Sequence, residues 1–183
     1  MGQAWLASGD ARQAVMLFGQ ALSIADATGD IEPTVEARSW LARAHLRLGD
    51  AAEALTLTNV ERELTYPPGE PAMHLLEGLA LLELNRPDES AQAFSDALAA
   101  ADGLLALADR NVDALEVRAL ALSGLAVVTS DQSPAAEAAE AFARARAVTT
   151  AAGVVADSRR LLGIITAHDP SGLLTAIESG SGS

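Results

Sequence analysis

Apolar residues along this chain return every three or four positions, and no stretch alternates apolar with polar residues long enough to predict a strand. Leu41, His45 and Leu48 fall on one helical face, as do Leu75, Leu79 and Leu82 further on. The breaks between such stretches are short: Gly9-Asp10, Gly49-Asp50 and Asn85-Arg86. The pattern therefore predicts helices joined by tight turns, an all-α chain.

The turns are periodic. Gly49 lies 40 residues after Gly9, and Asn85 lies 36 after Gly49. Seven positions before each turn stands a small residue (Gly2, Ala42, Gly78), and five positions after it another (Ala14, Ala54, Ser90). Phe18 and Phe94 follow four residues later, then Ala21 and Ala97 three beyond them. A fourth unit opens at Gly124, with a lengthened turn over 130–134, and runs through Ala138, Phe142 and Ala145. A truncated fifth has Leu162-Gly163 on its first helix and Asp169-Pro170 at its turn. Repetition of this kind predicts stacked helix pairs, because one pair alone cannot bury its apolar face. Units over 1–30, 31–66, 70–108 and 111–151, with a partial one over 153–178, make a single domain of 1–178. Residues 179–183 are only Ser and Gly and read as a flexible tail. The Pro67 to Pro71 cluster reads as a stiff link between the second and third units.

This spacing resembles the tetratricopeptide family, whose units follow W-x2-L-G-x2-Y…A-x3-F…P. Met1-Gly2 stands at Leu-Gly, Trp5 at the Tyr, and Ala14 with Phe18 at Ala-x3-Phe. Thr58 replaces the aromatic in the second unit, Leu81 and Val127 replace the Tyr, and no Pro closes a unit. The longer period is similar to the long-hairpin variant of bacterial sensor-regulators and kinesin light chains. The resemblance implies a right-handed superhelical array of antiparallel hairpins in which Phe94 and Phe142 wedge between neighbours. By the same register Met1 falls within a helix, so the chain is expected to be a piece of a longer array or multidomain protein.

Composition narrows the picture further. Hydrophobic residues are 50% of the 183, yet aromatics only 3%, which leaves alanine and leucine, both strong helix formers, to build the core. With 25 acidic residues against 12 basic, the net charge of −13 repels phosphate backbones and argues against direct nucleic-acid binding. No run is long enough to span a membrane, and no charged-then-apolar leader opens the chain, so a cytoplasmic protein is expected. Cysteine is absent, which removes disulfides and thiol chemistry. His45, His74 and His168 fall in different units with no metal-ligand spacing, and His45 reads as a packing residue. No phosphate-binding glycine loop or nucleophile motif occurs, so neither catalysis nor a cofactor is expected.

Binding remains, and the resemblance implies that the first helices of successive hairpins line a concave groove. Projecting from the small residues places Ser39, Arg43 and Arg47, then Leu75, Leu79 and Leu82, on that face. Arg118, Leu125 and Arg160 follow from the later units. Arginine's planar fork grips carboxylates in a bidentate manner, so a protein or peptide partner with an acidic group or free C-terminus is expected. Two functional classes stay open. One is a protein-interaction scaffold; the other is the effector-sensing arm of a signalling ATPase or transcription regulator, taking a small molecule or an inhibitory partner.

Overall fold

Eight helices occur in the computed structural model, which describes residues 10–59 and 66–175, and no strand occurs among those residues. They are α1 (Ala11–Thr28), α2 (Ile31–Leu48), α3 (Ala51–Thr58) and α4 (Glu70–Glu83), then α5 (Pro87–Leu107), α6 (Val112–Thr129), α7 (Gln132–Val148) and α8 (Ala152–Thr166). Gly2, Trp5 and the tail at 179–183 lie outside the described residues.

Local chemistry sets the helix ends. Asp10 accepts a hydrogen bond from the Gln13 amide at 3.0 Å and so starts α1; Asn111 does the same for α6 through the Ala114 amide at 3.1 Å. Gly49 ends α2 in the left-handed region at φ 80°, where a side chain would be strained, and its neighbour Asp50 opens α3. Asn85, with φ 56°, makes the same reversal between α4 and α5, and Pro87 then fits the first turn of α5. The expected long turn before Pro134 is not there. Ser130 reverses the chain at φ 54°, Asp131 caps α7, and Pro134 sits inside the first turn of that helix. The fourth unit is longer because α7 runs further before its small position: Ala138 lies six residues after Gln132, where Ser90 lies three after Pro87 and Ala54 three after Ala51. Gln132 is exposed as expected, but it begins α7 rather than sitting in a turn.

Neighbouring helices pack in sequence from α1 to α7, and the even-numbered helices also pack on one another. α4 is the hub: it touches α2, α3, α5, α6 and α8. Because α8 reaches both α6 and α4, the even helices do not spread as a flat layer but curl around a common space. Small residues allow this closeness. Ala14, Ala42, Ala54, Ala97 and Ala138 are all completely covered, each giving a neighbouring helix room for its backbone.

The tightest fit surrounds Phe94. Its ring is fully buried and lies against two glycines, Gly78 on α4 and Gly124 on α6. A Cβ added at Gly78 would come within 2.6 Å of the ring, and one at Gly124 within 2.4 Å. The small positions are thus the two walls of a slot for one aromatic ring, which pins α4, α5 and α6 together. Ser90, one turn earlier on α5 and also fully buried, donates from Oγ to the Gly78 carbonyl at 2.8 Å and fixes the same helix pair. Phe142 is likewise buried. Thr58 takes the aromatic position of its unit by donating its hydroxyl to the Leu55 carbonyl at 3.0 Å, so its polar group is satisfied within its own helix. Gly163 differs from the other small residues: it is exposed, and a Cβ there would meet nothing within 4 Å.

Candidate functional site

The curl of the even helices encloses a cavity of about 670 Å³. Its walls come from α2, α4, α6 and α8, with Tyr66, Pro68 and Gly69 closing one side before α4. Leu75, Val117, Leu120 and Leu161 make an apolar floor, all four buried in the main core cluster beneath. Glu32, Glu36, Asp113 and Arg160 belong to the lining, with Asp157, Arg43 and Glu116.

Across the cavity, Arg43 of α2 donates from Nη1 to Asp157 Oδ2 of α8 at 2.6 Å. The same guanidinium lies 5.1 Å over the Trp40 ring. Trp40 in turn stacks on Phe18 of α1, centroids 5.9 Å apart and planes 12° off parallel. A chain of contacts therefore runs from α1 through α2 to α8. Glu116 stands among apolar neighbours on α6 and is only 7% exposed. One of its oxygens is held by Arg146 of α7, and the other, Oε2, has no hydrogen-bond partner among the described residues. The buried hydroxyl of Ser158, on α8, and Nε of Arg43 are also without partners. At the rim, the Tyr66 phenol is held above its usual 10.0, first by its hydrogen bond to Glu32, then by burial and by the carboxylate charges of Glu32 and Glu36. Two carboxylates, Glu32 and Glu36, thus stand near the phenol at the mouth of the cavity.

Of the residues expected in the groove, Ser39, Arg43, Leu75 and Arg160 do line this cavity. Leu79 and Leu82 do not; both are buried in the core, because α4 is covered on almost every side by its five neighbours. Leu125 is half-buried against the same core. Arg118 is turned elsewhere, with Nε 2.8 Å from Asp102 on α5 and Nη2 3.7 Å from Glu137 on α7. Arg47 is exposed in the last turn of α2 and is not part of the cavity wall. The proposed convergence of Arg43, Arg47 and Arg118 on one concavity therefore does not occur: α6 directs Arg118 toward the odd-numbered helices on its flanks. Trp40, Glu36, Glu116, Asp157 and Tyr66 are wall residues that the repeat register did not single out. One of them carried a signal, since Glu116 is an acid placed in a stretch whose neighbours are nearly all apolar.

The charge balance is the reverse of the one expected. The wall contributes five carboxylates and two guanidiniums, and one of those guanidiniums, Arg43, is held by Asp157. An acidic group would enter a surface largely of its own sign. The histidines sit apart from the cavity, each beside one carboxylate: His45 by Asp50, His74 by Glu77 and His168 by Glu83. No group of three metal-ligating residues occurs among the described residues, and no described helix is long and apolar enough to cross a membrane. Comparison with protein-family models and with curated proteins gave no match.

Proposed function

We propose that the chain is a non-catalytic interaction module, a tetratricopeptide-like superhelical stack of helix hairpins whose even-helix cavity receives a segment of a partner protein. The observation that carries this reading is the cavity itself. Four helices contribute one wall each, the floor is apolar and the rim is charged, which is the usual make-up of a recognition site. The spacing of small and aromatic residues along the chain supports the array, and the slot around Phe94 supplies a packing reason for that spacing.

Gly153 lines the cavity near the start of α8, and a Cβ there meets nothing within 4 Å. Gly153→Phe should therefore block the cavity without disturbing the fold. The test pans a random hexapeptide display library against the wild-type chain and measures the selected peptides against both proteins. Loss of binding in a variant of unchanged thermal stability supports the reading, and unchanged binding overturns it. The cavity volume also falls within the range of small-ligand sites, which favours the effector-sensing arm as a second reading. In that case a metabolite mixture, not the peptides, would raise the melting temperature of the wild type and leave Gly153→Phe unmoved.

A further inference from the structure

The wall of the cavity is more specific than its volume. Three of its polar atoms, on three different helices, are unsatisfied: Nε of Arg43 on α2, Oε2 of Glu116 on α6 and Oγ of Ser158 on α8. Glu116 and Ser158 are each more than nine-tenths buried. A buried acceptor left without a donor is costly, and native chains keep such groups where something else completes them. Arg146 engages only one oxygen of Glu116 and leaves the second, buried oxygen without a donor. Around it the carboxylates outnumber the guanidiniums, and the raised Tyr66 phenol marks the same excess at the rim.

We propose that the cavity takes a basic side chain, an arginine or lysine of the partner segment, with its cation among Glu36, Asp113 and Glu116. Its methylene stem lies on Val117, Leu120 and Leu161, the apolar surface that a long cationic side chain covers while its head meets the carboxylates. This inference rests on the reading of the cavity as a peptide site and adds the charge of what enters it.

Trp40 lines the cavity and is one of two tryptophans, so Trp5→Phe leaves it as the sole indole reporter. In that background the probes are three capped tripeptides, acetyl-Leu-Xaa-Leu-amide, with arginine, citrulline or glutamate at Xaa. Citrulline keeps the shape of arginine and lacks its charge. Titration of the indole fluorescence should show the arginine peptide binding about tenfold or more tighter than citrulline, with glutamate weakest. Glu36→Gln with Asp113→Asn changes two exposed residues. It should weaken the arginine peptide about tenfold and leave the citrulline peptide unchanged. Equal binding of arginine and citrulline, tighter binding of glutamate, or indifference of the arginine peptide to the double variant overturns the basic side chain. Failure of all three peptides, while library peptides still bind and are still blocked by Gly153→Phe, also overturns it but leaves the peptide site standing. Indifference of every ligand to Gly153→Phe would instead remove the site itself.

Discussion

Arg43 on α2 and Asp157 on α8 meet at 2.6 Å although 114 residues separate them in the chain. The bond spans the cavity, where both residues form part of the wall. Their side chains are 14% and 26% exposed, so the pair is shielded without being sealed. Asp157→Ala should lower unfolding free energy by about 1.5–3 kcal/mol, the range for a hydrogen bond to a charged group. A urea-denaturation cycle with Arg43→Ala checks it. Additive losses from the two single variants would mean that the contact does not couple α2 to α8.

Phe94→Ala should cost about 3–5 kcal/mol, the range for deleting a core aromatic. Gly124→Ala is the sharper experiment. Its Cβ would come within 2.4 Å of the ring, so overpacking should cost about 1–3 kcal/mol even though alanine favours a helix. Adding Phe94→Leu should recover part of that loss, because the smaller side chain frees the space the new methyl needs. Thermal or chemical unfolding of the three proteins reads the effect.

Tyr66 is the only tyrosine, so phenolate absorbance titrates it alone. Its midpoint should lie above 10.0 and move back toward that value in Glu32→Gln, which removes the largest cause of the shift. Because the folded value is the higher one, the fold is favoured below the unfolded value, and that preference is lost as pH rises through the folded one. A bound basic peptide should lower the midpoint by offsetting the carboxylates.

His74 on α4 is raised above 6.5, mainly by its hydrogen bond to Glu77, against an opposing effect of burial. The imidazolium therefore adds stability that is complete below 6.5 and disappears as pH rises through the higher folded value. Glu77→Gln should flatten this part of the stability profile and lower the His74 titration midpoint measured by NMR.

The helical class and most of the turns were legible in the sequence because they depend on local chemistry. Gly49, Asn85 and the residues that follow them each reverse the chain where the register places them. The buried Ala14, Ala54, Ala97 and Phe94 were legible for a related reason: spacing fixes which side of a helix a residue occupies. Which side faces the cavity is a different matter. It depends on how far the even helices curl, and α8 returning to α4 buries Leu79 and Leu82 where an open groove would have exposed them. Arg118 was misplaced by the same error, since α6 has flanking acids on both α5 and α7 within reach. Asp157 and Glu116 could not be paired with Arg43 and Arg146 from spacing, because their partners are 114 and 30 residues away.

The Phe94 slot also bears on how such a chain could be inherited. The natural seam for duplicating or exchanging a unit is the loop at 108–111, where one helix pair ends and the next begins. Phe94 lies on one side of that seam, and half of its housing, Gly124, lies on the other. A splice made there would give the ring to a helix that need not carry glycine at the matching position. Units of this chain are therefore not freely interchangeable: an aromatic gained in one must be accompanied by a methyl lost in its successor.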